Sequence, residues 1–60
     1  MEYKIEVLLK PNVINKRLLY YWCIIGIDEH NSSNCGFGWS SSITNAFNDA
    51  YNYYSNYLKQ

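Results

Sequence analysis

Little in this sequence punctuates the chain or supplies reactive chemistry. It has one proline (Pro11), three glycines (Gly26, Gly36, Gly38), two cysteines (Cys23, Cys35) and one histidine (His30). Together Cys23, Cys35 and His30 offer at most three metal ligands, and their spacing lacks the close ligand pair of a zinc site. Neither sign of charge dominates, since five Lys and Arg balance five Asp and Glu. Nucleic-acid binders usually carry a basic stripe, because phosphate contacts supply most of their affinity. Here Lys4, Lys10, Lys16, Arg17 and Lys59 are scattered, which disfavours a nucleic-acid partner. No apolar run approaches the ~20 residues of a membrane span. The segment Met1–Lys10 interleaves charges with apolar side chains, unlike the unbroken apolar core of a secretory signal. No membrane partner is expected, and a cytoplasmic location is. In that setting Asn31-Ser32-Ser33, a glycosylation acceptor by spelling, is a chance match in a chain with eight Asn.

Catalytic groups are equally sparse. His30 sits in Asp28-Glu29-His30, a polar loop tip. An acid–base role there needs an oriented nucleophile, and Ser32 and Ser33 have no evident orienting shell. Asp28 and Glu29 are adjacent in a turn and Asp49 lies on a helix, so no carboxylate pair faces a cleft. Gly36-Phe37-Gly38 lacks the third glycine of a phosphate loop. The stretch Gly38–Ser42 brings hydroxyls and free amides to a helix start, which suits an anion but is equally explained by capping. Neither an enzyme nor a cofactor is expected. With no oxidising compartment indicated, Cys23 and Cys35 read as reduced core thiols.

What the chain does have is greasy, flat surface. Of its 60 residues 48% are hydrophobic and 18% aromatic, including seven Tyr and two Trp. A chain of this length forms one domain (1–60) and buries only about 60% of its unfolded surface. Rings worth roughly 150–250 Å² each therefore supply much of the core. Asn, Tyr and Ile make up 21 residues; all have AT-rich codons, which points to an AT-rich genome or a mobile element.

The densest stretch is Arg17–Asp28, in which ten of twelve residues are apolar, aromatic or Gly. A short continuous apolar run bounded by turn signals reads as a central strand. Before it, Tyr3–Leu9 alternates, with Tyr3, Ile5, Val7 and Leu9 on one side and Lys4 and Glu6 on the other; Leu8 breaks the pattern. Period two marks a half-buried strand, and its lysine suits a sheet edge. Pro11 ends it, and Pro11–Lys16 connects, anchored by Val13 and Ile14. Asp28–Asn34 reads as a turn and Cys35–Trp39 as a short third strand. From Ser40 the period becomes helical. Ile43, Ala46, Phe47, Ala50, Tyr51, Tyr54 and Leu58 form one stripe, flanked by Tyr53 and Tyr57, and a serine at 40, 41 or 42 can cap the first turn. The helix is expected over Ser41–Lys59.

The expected fold is α+β: a three-stranded antiparallel meander with one C-terminal helix packed on one face (β-β-β-α). Centring the second hairpin on Asn31 sets Cys23 opposite Trp39 and Ile25 opposite Phe37. The Cys23/Ile25/Ile27 and Cys35/Phe37/Trp39 sets then lie under the helix, with Tyr3/Ile5/Val7/Leu9. Leu8, Leu18, Tyr20, Trp22, Ile24, Gly36 and Gly38 are left on the open face. A one-residue slip exposes Tyr21, Cys23, Ile25 and Ile27 instead. Either way one helix covers one face, and the uncovered apolar face suggests an interface. Gly36 and Gly38 would let a partner's backbone or ring approach closely, or else relieve strain in a twisted hairpin. The competing reading is that Val13, Ile14 and lysine stems shield the face. On the interface reading, Trp22→Glu is expected to abolish assembly and spare the helix.

Tyr21-Trp22-Cys23-Ile24-Ile25, followed by a turn and then Ser41-Ser42-Ile43-Thr44-Asn45-Ala46 opening a helix that ends Tyr57-Leu58, resembles the HicB-type antitoxin domain. The likeness covers about Tyr20 to Leu58. It implies a β-β-β-α core, oligomers, and neutralisation of a small messenger-RNA-cleaving toxin by occlusion. The family's Pro-Asp-x-Pro-Gly segment is replaced by Asp28–Asn34, and no repressor activity is expected. The expected function is thus a non-enzymatic binding module, antitoxin-like or inhibitor-like. Its partner is another protein chain, with the module itself a homodimer or higher oligomer. One alternative is a phage or mobile-element protein that blocks a host defence complex. Another is a single-stranded nucleic-acid binder stacking bases on Tyr20, Trp22 and Phe37.

Overall fold

The computed structural model describes residues 2–59; Met1 and Gln60, the ends of the expected domain, lie outside them. Three strands, β1 (Glu2–Leu9), β2 (Tyr20–Ile27) and β3 (Ser32–Ser40), form one antiparallel sheet in the order β1-β2-β3. Helix α1 (Ile43–Tyr53) and one wider π turn, Tyr54–Leu58, pack across it. The order is β-β-β-α, as expected. The Cα envelope is only 16 Å in its thinnest dimension, which is two layers of secondary structure and leaves one sheet face without a covering layer.

Local chemistry explains the joints. After Pro11, Asn12 Oδ1 accepts the N–H groups of Ile14 and Asn15, and Asn15 Oδ1 accepts that of Arg17. These side-chain turns hold the β1–β2 loop and project Val13 and Ile14 into water; both are almost fully exposed. They neither anchor the loop nor shield the sheet, so of the expected shield only a lysine, Lys10 over Tyr21, is in place. β2 begins at Tyr20 rather than Arg17, leaving Leu18 half-buried in the loop. β3 begins at Ser32, because Ser32, Ser33 and Asn34 pair with Ile27, Gly26 and Ile25. These short polar residues read as a turn, but the ladder overrides that tendency. The register then shifts between Ile24 and Ile25, with Cys35 as the extra residue. Asn34 Oδ1 accepts the Gly36 N–H at 3.0 Å across this bulge. The helix starts two residues later than expected: Ser42 is the cap, accepting from the Asn45 N–H at 3.1 Å.

The sheet face beneath the helix is the reverse of the expected one for β2 and β3. Trp22 sits between Val7 and Gly38, and Ile24 between Ile5 and Gly36. Trp22 and Ile24 join Ala46 and Ala50 in the core, with Tyr3, Ile5, Val7, Tyr20, Tyr53, Tyr54 and Leu58 packed around them. Cys23 lies opposite Phe37 rather than Trp39. This two-residue shift preserves which β2 and β3 side chains share a face, but the helix covers the other one. The reason is volume. The edge of the Trp22 indole lies over Gly38, where a Cβ would come within 2.7 Å of it, and the Tyr53 ring lies over Gly36, where a Cβ would come within 2.5 Å. Neither glycine has a positive φ, so space rather than backbone conformation requires them. The glycine strip does admit rings, and those rings belong to this chain.

Ala46 and Ala50 are fully buried, and their small side chains bring α1 close to Trp22 and Ile24. The rest of the expected stripe divides. Tyr54 and Leu58 pack inward while Ile43, Phe47 and Tyr51 stay exposed, and Tyr53, expected at the flank, packs on Trp22 with ring centroids 5.9 Å apart. The buried Ser40 hydroxyl donates to Asp49 Oδ2, tying the end of β3 to the helix.

Candidate functional site

Alternation along the strands puts three rows on the open face: Leu8–Tyr21–Trp39, Glu6–Cys23–Phe37 and Lys4–Ile25–Asn34. Tyr21, Phe37 and Trp39 gather there. Tyr21 lies 4.9 Å from Trp39 and 6.3 Å from Phe37, and Phe37 meets Trp39 edge-on at 6.2 Å. These are the separations of attractive ring pairs. Phe37 is nonetheless 60% exposed, Leu8 is half exposed, and Tyr21 and Trp39 are half-buried.

The polar rim is confined to one strand and its exit. Lys10 Nζ stands 5.3 Å from the centre of the Tyr21 ring, a cation–π distance. The Lys10 carbonyl accepts the Trp39 indole N–H at 2.9 Å, so the one polar atom of that ring is satisfied within the chain. Lys4 and Glu6 pair at 3.1 Å along β1. Cys23 is buried between Glu6 and Phe37. Burial, reinforced by the Glu6 carboxylate and partly offset by Lys4, pushes its thiol above the usual value. Apolar centre, edge charges and aromatic anchors together match the anatomy of a protein interface.

Most of the residues expected at the site lie elsewhere. Leu8 is on the open face and Leu18 in the β1–β2 loop. Tyr20, Trp22 and Ile24 face the helix, with Gly36 and Gly38 beneath Tyr53 and Trp22. A stacking platform built from Tyr20, Trp22 and Phe37 is therefore not assembled, since the first two are packed inside. The slip alternative described the face better, for Tyr21, Cys23 and Ile25 are on it and Ile27 is part-exposed at its end. Phe37 and Trp39 were missed. The available signal was the bulk of Trp22, which needs a side-chain-free neighbour on its own face.

The reactive groups stay apart. Cys23 is mid-strand, Cys35 is at the bulge with its thiol 3.7 Å from the Ser33 carbonyl, and His30 is in the hairpin loop. Both cysteines are free, and no metal-sized cluster of His, Cys, Asp or Glu occurs among the described residues. The serines at the helix start are committed to Asp49 (Ser40) and to the cap (Ser42). Comparison with family models, curated proteins and solved structures gave no match for this chain.

Proposed function

We propose that this chain is a non-enzymatic binding module that covers a partner protein with its open sheet face. Phe37 carries the reading: a large ring kept 60% exposed beside the close Tyr21–Trp39 pair is costly to leave in water and is the kind of anchor that dominates interfaces. The action is occlusion, antitoxin-like or inhibitor-like. The HicB-type resemblance and the high share of Asn, Tyr and Ile, whose AT-rich codons suit a mobile element blocking a host defence complex, both fit an occluding role.

The test is capture of the partner on immobilised chain, followed by reconstitution with the purified partner. Phe37→Asp and Trp39→Ser should each weaken binding at least about tenfold with unchanged circular dichroism. A partner held equally well by both variants contradicts the assignment. One observation favours a second reading: Lys10 stacked on Tyr21 beside two further rings suits single-stranded nucleic acid. Binding of oligonucleotides that falls steeply with salt would support it.

A further inference from the structure

β1 is an outer strand of the sheet, and its outward N–H and C=O groups offer a template for another strand. It carries neither proline nor bulge over Glu2–Leu9, and the lysine that suits it to an edge, Lys4, already has its charge matched by Glu6 at 3.1 Å. Beside it, Glu2, Tyr3, Ile5, Tyr51 and Tyr54 line a groove of 460 Å³. Phe47 and Ile43 continue the Tyr51 row back along α1 at the spacing of four that stacks side chains on one flank. Ile43, Phe47 and Tyr51 are 51%, 47% and 55% exposed, so an apolar helix flank stands uncovered beside an unpaired strand.

We propose that β1 pairs antiparallel with β1 of a second copy, Ile5 opposite Ile5, and that Lys4 and Glu6 select this register. Side chains alternate between faces, so both helices lie on the same side of the joined sheet only when the two-fold axis passes through a residue. Centring on Lys4 sets Lys4 against Lys4 and Glu2 against Glu6. Centring on Glu6 sets Glu6 against Glu6, and centring on Tyr3 sets Glu2 against Lys4 but pairs only residues 2–4 of the described strand and leaves Glu6 unmatched. Centring on Ile5 sets each Lys4 against Glu6 of the other copy, and on the helix side sets Tyr3 against Val7. Opposite charges across a ladder stabilise it and like charges disrupt it. The Lys4–Glu6 pair already formed along each strand becomes half of a four-charge alternating cluster. On the opposite, helix-bearing face, Phe47 and Tyr51 of the two copies face one another across the groove. The three-stranded sheet doubles, and both Tyr21/Phe37/Trp39 clusters end on one side. This assembly extends the binding reading without using those rings.

Sedimentation equilibrium of the full chain tests it, on wild type, Lys4→Glu, Glu6→Lys and an equimolar mixture of the two variants. Both side chains are partly solvated, at 58% and 37% exposure, and circular dichroism checks that each variant folds. The wild type should be a dimer. Each single variant should dissociate at least about tenfold more readily. The mixture should recover a one-to-one heterodimer, because an acidic β1 then meets a basic one. Phe47→Asp should also weaken the dimer, and Phe37→Asp should leave it intact. A monomeric wild type, a dimer indifferent to both charge reversals, or variants that stay apart when mixed overturns the proposal. So does a dimer dissolved by Phe37→Asp, which would place self-association on the open face.

Discussion

Gly38→Ala adds one methyl group at the point where β3 passes under the Trp22 indole. Its carbon would stand 2.7, 2.8 and 2.9 Å from Trp22 Cζ2, Cε2 and Nε1, well inside the ~3.5–4.0 Å of ordinary carbon contact. Trp22 has nowhere to go: it is buried, with Tyr53 packed on it at 5.9 Å and Val7 beside it in the ladder. Overpacking of this kind costs about 1–3 kcal/mol. Replacing glycine at an ordinary strand φ returns about 0.5–1 kcal/mol of backbone entropy. The two ranges leave a net loss between about 0 and 2.5 kcal/mol, centred near 1 kcal/mol, each unit of which lowers Tm by about 4–8 °C in a domain of this size. Urea titration followed by circular dichroism reads it directly. The decisive form is a double-mutant cycle with Trp22→Phe, which removes the fused ring that the methyl would strike. The double variant should be more stable than the summed single losses imply, by about 1 kcal/mol. Strict additivity in the cycle would refute the glycine-slot packing and with it the placement of Trp22 beneath the helix.

Three further predictions follow from the same packing. Trp22→Glu should unfold the chain, because it buries a charge where the indole now sits, whereas Phe37→Asp should keep helix content and thermal midpoint within the usual small range of surface changes; circular dichroism melts distinguish them. Ser42→Ala removes the cap that accepts from Asn45 and should cost about 1 kcal/mol in urea titration. The raised thiol pKa of buried Cys23 means that the unfolded chain loses this proton first as pH rises. Stability should therefore be intact below the usual thiol value of about 8.5 and fall above it, towards the higher native value. Cys23→Ser should flatten that slope, and iodoacetamide mass mapping should label the less buried Cys35 before Cys23.

The elements of this fold are legible because each is written in local pattern: alternation in β1, a proline stop, a continuous apolar β2, and a 3.6 period from Ile43. Facing is not, for a specific reason. β2 is apolar, aromatic or glycine at every position from Tyr20 to Ile27, so its own residues do not say which side meets the helix. The facing goes with Gly36 and Gly38, the positions whose missing side chains leave room for large rings, and those rings come from β2 and from the far end of α1. That is a volume match between segments distant in sequence, invisible to periodicity. For the same reason the existence of one uncovered sheet face could be read from a single helix, but its occupants, Phe37 and Trp39, could not. The helical stripe is wider in the sequence than in the packing, because Ala46 and Ala50 take the fully buried positions and Ile43, Phe47 and Tyr51 fall on a flank that stays exposed.

The most direct measurement places a photoreactive benzoylphenylalanine at Phe37 in the native host, with the same residue at the still more solvent-exposed Val13 as control. A single protein partner cross-linked through position 37 and not through position 13, and bound by the purified chain at defined stoichiometry, is the predicted result. No adduct at position 37, or equal adducts at both positions, would contradict the assignment of the open sheet face as the binding surface.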